Sequence, residues 1–213
     1  MAVIMKNHTW RFAAFLILTV LPIAVSHGQS VSGQSLAAAM RAGGYVILMR
    51  HASSPRDPPG TGAANTDNPN LERQLDQTGR SSAIALGESL RQLRIPIGQV
   101  LSSPTYRALE TIRFAQLGPA TPIVQLGDAG QSMVPDKSGA RGAWLRAKSA
   151  EPPAAGKNTF IVTQFPNIME AYPQESAGLA DGEALILHPD GHGAAAFVAR
   201  VKIDEWAHLD AAH

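Results

Sequence analysis

Short apolar runs alternate along this chain with longer stretches in which apolar residues recur at helical spacing. Runs such as YVILM and TFIVT are flanked by glycines or polar residues, which is typical of buried strands. The pattern predicts four strands of this kind, at residues 45–49, 99–103, 122–126 and 159–163.

Helical segments are predicted between these strands. In residues 78–93, the side chains of Ala83, Leu86, Leu90 and Leu93 fall on one helical face. Related patterns predict three further helices, at residues 31–41, 105–115 and 140–148. The second of these directly follows Pro104, and proline suits the first turn of a helix.

The chain closes with two further predicted strands, residues 183–187 and 196–203. The sequence HPDGHG separates them and is rich in turn-forming residues, which predicts an antiparallel hairpin. Helices and strands in alternation, followed by a hairpin, predict an α/β fold. We expect a three-layer sandwich with a mostly parallel central sheet and helices on both faces.

The first 28 residues have the pattern of a secretory signal. Lys6 and Arg11 precede the apolar segment Phe12–Val25, which is too short to span a bilayer comfortably. We therefore expect residues 1–28 to be a signal peptide, cleaved on export, with an uncleaved anchor as the alternative. Residues 29–213 would then form a single domain in the periplasm or outside the cell.

The amino-acid composition argues against several classes of function. Two of the 18 Lys and Arg residues lie in the signal, so the remaining chain carries 16 of them against 17 Asp and Glu. This balance predicts no nucleic-acid partner, and no membrane contact after signal cleavage. The chain has no cysteine, which excludes disulfides and thiol catalysis and suits a bacterial periplasm. The histidines lack metal-ligand spacing, so we predict no metal and no cofactor.

Polar residues follow three of the predicted strands. Arg50 and His51 come after the first, Arg107 lies one turn into the helix after the second, and Gln164 follows the fourth. Ligands of such sheets bind beyond the carboxyl ends of the strands. Arginine binds phosphate oxygens bidentately, and histidine can accept a phosphoryl group. The pattern predicts an anion pocket with a candidate nucleophile. Backbone N–H groups of the helix that starts near Pro104 would add donors for the anion. An Arg-His pair alone is also compatible with a structural role.

Five sequence blocks together resemble the histidine phosphatase superfamily, whose members have the phosphoglycerate-mutase-like fold. They keep the order of the family's blocks along nearly the whole mature chain, and they read RHASSP, RQLDQTGR, SSPTYRALETI, FIVTQFPNI and DGEALIL.

This resemblance implies a phosphomonoester hydrolase that works through a phosphohistidine intermediate. His51 matches the family's phosphorylated histidine, and Arg50 and Arg107 match the arginines that hold the phosphate. Glu110 and Thr111 fill the family's Glu-Thr positions, and for Glu110 we expect a supporting or helix-capping role rather than a catalytic one.

One position departs from the family pattern. The family's third block has a histidine after its threonine, and this chain has Gln164. Glutamine can donate a neutral hydrogen bond to phosphate but supplies no charge, and losing one preorganised donor typically costs about 100- to 1000-fold in turnover. The alternatives are a slowed phosphatase, a phosphate-binding pseudophosphatase of the cell envelope, or an enzyme in which another group replaces the histidine. An envelope scaffold is a further alternative, but it gives no reason to retain Arg50, His51 and Arg107 together.

Each of the remaining candidate site residues has two possible roles. Asp128 is the leading candidate for a general acid and could equally form a turn beside Gly127, while Glu183 could be an acid or pair in a salt bridge. Ser54 could donate to phosphate or shape its turn. Arg73 could line the pocket or pair with the nearby Asp76.

The substrate is expected to be a small phosphorylated molecule, recognised by the loops at residues 52–70 and 127–150. Neither loop is strongly basic, which argues against highly phosphorylated ligands. The chain has no P-loop, no HExxH motif and no GxSxG motif, which argues against other hydrolase mechanisms. The sequence makes no prediction of oligomeric state.

Overall fold

The computed structural model of the chain describes residues 32–55, 68, 71–127 and 139–210. The helices are α1 (Gly33–Ala42), α2 (Gln77–Gln92), α3 (Tyr106–Ala115), α4 (Ala140–Ser149) and α5 (Phe165–Ala171). The strands are β1 (Val46–Arg50), β2 (Ile97–Ser102), β3 (Thr121–Pro122), β4 (Asn158–Thr163), β5 (Ala184–Pro189) and β6 (Ala195–Val201). Two short 3-10 helices cover Val124–Leu126 and Glu205–His208. In this described part, no helix combines the length and the apolar character needed to cross a membrane.

The six strands form one sheet in the order β3-β2-β4-β1-β5-β6. Strands β1 to β4 pair in parallel, while β5 runs antiparallel to both β1 and β6. The predicted α/β class, mostly parallel sheet and terminal hairpin are therefore confirmed.

Helices cover both faces of this sheet. Along β1, Ile47 and Met49 point to the face that packs against α1, α2 and α3, whereas Val46 and Leu48 point to the face that packs against α4 and α5. Every residue of the neighbouring β4 is buried. A strand covered on both sides reads as a continuous apolar run, which is why the YVILM and TFIVT signals were clear. The predicted three-layer sandwich is confirmed.

Two elements differ from the prediction. The strand expected at residues 122–126 is reduced to Thr121–Pro122, and Val124–Leu126 forms a 3-10 helix instead. The reason is geometric, because β3 lies at the sheet edge and β2, its partner, ends at Ser102. Helix α5 was not predicted, since seven residues are too few for a clear helical periodicity.

The sheet brings the polar strand ends together. Arg50 at the end of β1 is level with Thr163 at the end of β4, and Ser102 at the end of β2 is level with Val162. The His51 N–H continues the ladder by donating to the Thr163 carbonyl at 3.1 Å. The carboxyl ends of three adjacent parallel strands therefore open at one place.

Close packing of α2 fixes the segment that follows β1. At Gly79, in the first turn of α2, an added Cβ would lie 2.1 Å from the carbonyl oxygen of Ser53. At Gly87, an added Cβ would lie 1.9 Å from the carbonyl oxygen of Ala115, at the end of α3. These glycines allow α2 to contact both backbones directly, and α2 thereby braces the two segments that carry the site.

Candidate active site

The three strand ends open into a cavity of about 380 Å³. Its lining residues are Arg50, His51, Ser54, Arg73, Arg107, Gln164, Phe165, Pro166, Leu179 and Asp181. His51, Arg107 and Gln164 are buried and form the floor. The side chains of Arg50 and Asp181 are 21% and 35% exposed and lie towards the mouth.

His51 is held as a neutral imidazole. Its Nδ1 lies 2.8 Å from the carbonyl oxygen of Ala52 and donates to it, which leaves the lone pair on Nε2. The Nε–H of Arg107 donates to that Nε2 at 3.2 Å. Burial lowers the pKa of His51 to about 3, helped by the positive charges of three arginines and opposed by the bond to Ala52. His51 therefore presents an unprotonated Nε2 beside Arg107.

Gln164 holds Arg107 in place. Its Oε1 accepts hydrogen bonds from Arg107 Nε at 3.0 Å and from Nη2 at 2.6 Å. Its Nε2 donates to the hydroxyls of Ser103 at 3.2 Å and Thr105 at 2.8 Å. In this arrangement the amide orients the arginine, and its donors are directed to hydroxyl groups. The predicted contact between Gln164 and a phosphoryl oxygen stays a prediction.

Arg50 is held at the cavity mouth by three groups. Its Nη1 donates to the carbonyl oxygen of Leu179 at 2.9 Å, and its Nη2 forms an ion pair with Asp181. The guanidinium lies over the ring of Phe165, 5.4 Å from the ring centre. The sequence analysis missed Asp181, although it belongs to the DGEALIL block, because an aspartate before glycine also suits a simple turn.

Glu110 and Thr111 support the segments around the cavity, a role that was expected for Glu110 alone. Glu110 is buried, and its Oε2 accepts from the N–H of Leu75 at 2.7 Å. The Thr111 hydroxyl accepts from the N–H of Ala52 at 3.1 Å and donates to the carbonyl of Arg107 at 2.8 Å. Thr111 thus ties the residue after His51 to the helix that carries Arg107.

A second carboxylate that the sequence analysis missed is Glu72. It is buried, and its Oε2 accepts from the N–H of Tyr106 at 2.8 Å, at the start of α3. The N-cap residue of that helix, Thr105, makes no capping bond, since its hydroxyl faces Gln164 and Ser103. Glu72 thus accepts a hydrogen bond from one of the backbone N–H groups at the start of α3, which were expected to donate to a bound anion.

Ser54 and Arg73 both line the cavity, which for Arg73 is one of the two predicted alternatives, while the predicted bond from Ser54 to phosphate stays a prediction. The Ser54 hydroxyl donates to the carbonyl of Gln74 at 2.7 Å, so it also shapes its loop. Arg73 Nη1 donates to the carbonyl of Pro55 at 2.9 Å. The alternative partner of Arg73, Asp76, instead caps α2 and binds the hydroxyl of Ser53.

The two general-acid candidates have different outcomes. Asp128 lies outside the described residues, as do the signal segment and parts of both loops expected to recognise substrate. Glu183 does not line the cavity and forms a two-pronged salt bridge with Arg200, with both contacts at 2.7 Å. Burial acts to raise the pKa of Glu183, but the bonds from Arg200 and the Ala180 N–H outweigh it and lower the pKa. An ionised Glu183 is a poor proton donor.

The other described histidines are remote from this chemistry. His188, His192 and His208 are exposed and do not line the cavity. Within the described part of the chain, His51 is therefore the one imidazole available to react there.

The low pKa of His51 predicts how stability depends on pH. The unfolded histidine takes a proton near 6.5, whereas the folded one takes it only near 3. Between these values the unfolded state binds more protons, so the unfolding free energy falls as the pH falls, by about 1.4 kcal/mol per pH unit from this group. His51→Gln should flatten the curve by about that slope. Urea unfolding followed by the fluorescence of the buried Trp206 measures it, and parallel curves for the two proteins would contradict the assignment.

Residues 46–128 match the family model of the histidine phosphatase superfamily (branch 1). The predicted resemblance is confirmed. The matched segment includes Arg50, His51 and Arg107, and it ends before Gln164. None of the curated proteins compared by sequence matches the chain.

Solved structures share the fold. The protein histidine phosphatase SixA complexed with tungstate superposes with a TM-score of 0.54 at 20% identity, over 76% of this chain and 98% of that one. SixA from Agrobacterium tumefaciens gives a TM-score of 0.50 at 17% identity, over 74% and 97% of the two chains. The corresponding protein from Nakamurella multipartitia gives 0.51 at 17% identity, over 74% and 94%. The family match supports a phosphatase enzyme, and the superpositions show the histidine phosphatase fold.

Proposed function

We propose that the protein is a phosphomonoester hydrolase whose His51 carries the phosphoryl group between two steps. The observation that carries this proposal is the neutral His51, buried between arginines at the floor of a cavity. Its Nδ1 is fixed by the Ala52 carbonyl at 2.8 Å, which directs the reactive Nε2 towards Arg107.

In the first step, Nε2 of His51 attacks phosphorus, and the bond from phosphorus to the leaving oxygen breaks. The leaving group departs with the bonding electron pair as an oxyanion, which takes a proton from water. Arg107 would exchange its hydrogen bond to Nε2 for one to a phosphoryl oxygen, and Arg50 would neutralise oxygens nearer the mouth. The positive charge that forms on the imidazole is shared with Nδ1–H, which already donates to Ala52.

In the second step, water attacks phosphorus and the phosphorus–nitrogen bond breaks. His51 regains its lone pair and inorganic phosphate leaves. The depressed pKa of His51 favours this release, because its surroundings disfavour positive charge on the ring. The same property keeps His51 unprotonated and ready to attack in mildly acidic solution.

A second candidate function is a phosphate-ligand-binding pseudophosphatase. The observation that favours it is the bonding of Gln164, whose donors reach Ser103 and Thr105 and whose acceptor binds Arg107. Position 164 then supplies no charged donor to the phosphoryl group. Such a protein would bind phosphorylated ligands at the same cavity and turn them over negligibly.

Hydrolysis of an aryl phosphate by the mature chain, residues 29–213, separates these candidates. The proposed enzyme turns over many times without added metal, whereas the pseudophosphatase binds tungstate, a tetrahedral oxyanion, without turnover. The cavity volume of about 380 Å³ suits a small molecule. A protein that neither hydrolyses the aryl phosphate nor is stabilised by tungstate against thermal unfolding contradicts both.

We also propose that the protein acts in the periplasm or outside the cell. The support is the sequence of residues 1–28, with its basic start and its apolar segment. N-terminal sequencing of the protein recovered from its own host tests this: a start near residue 29 supports export with cleavage, and a start at Met1 contradicts it.

A further inference from the structure

The segment Leu179–Asp181 contributes to one wall of the cavity and brings the carboxylate of Asp181 to it. Leu179 and Asp181 both line the cavity, and both bind the guanidinium of Arg50. Neither the family match, which ends at residue 128, nor the mechanism above assigns a role to this wall.

The carboxylate of Asp181 is held by an ordered turn. The Gly182 N–H donates to the carbonyl of His51 at 2.9 Å, and the Arg50 N–H donates to the carbonyl of Glu183 at 3.1 Å. Gly182 has φ of +72°, and an added Cβ would lie 2.7 Å from the side chain of Ile203, so a glycine is required there. The backbone beside Asp181 is thereby tied directly to the two residues proposed to bind and attack phosphorus.

The exposed fractions of the lining residues distinguish those at the floor of the cavity from those nearer its mouth. His51 is 5% exposed, so a phosphoryl group bonded to it lies at the floor. The Asp181 side chain is 35% exposed and lies nearer the mouth, in contact with Arg50. Asp181 therefore lies on the wall between the floor and the mouth, where a leaving group that points out of the cavity could contact it.

We propose that Asp181 is a specificity-determining residue that selects substrates by the charge of the leaving group. This inference rests on the proposed phosphoryl site. Asp181 disfavours leaving groups that carry a carboxylate or a second phosphate and favours those that bring an ammonium group or a hydrogen-bond donor to its carboxylate. It also competes with phosphoryl oxygens for Arg50.

Among the described residues that line the cavity, Arg50, Arg73 and Arg107 carry positive charges, which act in the opposite sense. We therefore predict how the preference between positively and negatively charged leaving groups changes when Asp181 loses its charge. Asp181→Asn keeps the shape of the side chain and removes the anion, which leaves the positive charges of Arg50 and Arg73 facing the leaving group.

Two aryl phosphonates test this in binding, so the test does not depend on turnover. One carries an aminoethyl group at the para position and the other a carboxyethyl group, and isothermal calorimetry gives their dissociation constants with the mature chain. Asp181→Asn is expected to shift the ratio of the two affinities about five- to tenfold towards the carboxylate probe. Asp181→Glu should restore the wild-type direction of preference, and Glu88→Gln, the same charge change on an exposed position of α2, should leave the ratio unchanged.

The outcomes separate the two proposals. If the wild-type protein binds the probes and Asp181→Asn leaves their affinity ratio unchanged, the inference about Asp181 is wrong and the phosphoryl site stands. If neither protein binds either phosphonate or tungstate, the phosphoryl site itself is wrong, and the inference falls with it.

Discussion

Replacing His51 with alanine is expected to abolish hydrolysis of an aryl phosphate by the mature chain. The first step forms a bond from phosphorus to Nε2, and among the described residues no other imidazole lines the cavity. Removing a nucleophile that works as part of a unit typically costs about 10⁴-fold or more. Initial rates at saturating substrate, compared with the wild-type protein, measure the loss.

Two controls make this result specific. His188→Ala removes an exposed histidine from β5 and should leave the rate unchanged. Tungstate should still raise the thermal stability of His51→Ala, because Arg50 and Arg107 remain to bind an oxyanion. If His51→Ala retains more than about a tenth of the wild-type rate, a loss too small for a missing nucleophile, His51 is not the nucleophile.

Gln164→His is expected to raise turnover by about 100-fold. The wild-type amide directs its donors to Ser103 and Thr105, so position 164 gives the phosphoryl group no charged donor. With a phosphoryl dianion bound against it, a histidine at this position would be favoured as an imidazolium and would supply one, and a preorganised donor of this kind is typically worth about 100- to 1000-fold. The measurement is kcat for the aryl phosphate, with burst kinetics to show which step changes.

Gln164→Ala is the matched variant. It removes the acceptor that binds Arg107 at 2.6 Å and 3.0 Å, so Arg107 loses its orientation. A small misplacement of such a group costs on the order of 100-fold, and we expect a loss of that size. If Gln164→Ala equals the wild-type protein and Gln164→His is no faster, the account of position 164 is wrong.

Much of the site could be predicted because its residues follow buried strands. Arg50 ends β1, His51 follows it directly and Gln164 directly follows β4, so their convergence follows once the two strands are parallel neighbours. Arg107 is the second residue of α3, the helix that follows β2 after a short turn. The apolar runs locate the strands in the sequence, and the site residues are the polar ones at the carboxyl ends of those strands.

Asp181 could not be predicted in the same way. It reaches Arg50 because β5 is antiparallel to β1 and starts level with its end, with Met49 opposite Ala184. The predicted hairpin gives the direction of β5 relative to β6, but not which other strand it pairs with. Glu72 depends similarly on a loop that meets the start of α3.

The bonding of Gln164 was also beyond the sequence. An amide has two donors and an acceptor, and residue type does not say which of them faces the ligand. The hydroxyls of Ser103 and Thr105 decide this by accepting from its nitrogen, which leaves its oxygen for Arg107. The consequence is a supporting role for a residue that the family pattern would place against the phosphoryl group.

The most direct test is to trap the proposed phosphoryl-enzyme. The mature chain is mixed with excess aryl phosphate, quenched in alkaline denaturant that preserves phosphohistidine, and analysed by intact and peptide mass spectrometry. We expect a species heavier by one phosphoryl group, with that group on the peptide that contains His51. Brief acid treatment should remove the group, and His51→Ala should not acquire it. Turnover without such a species, or with the phosphoryl group on another residue, would contradict the proposed phosphohistidine mechanism.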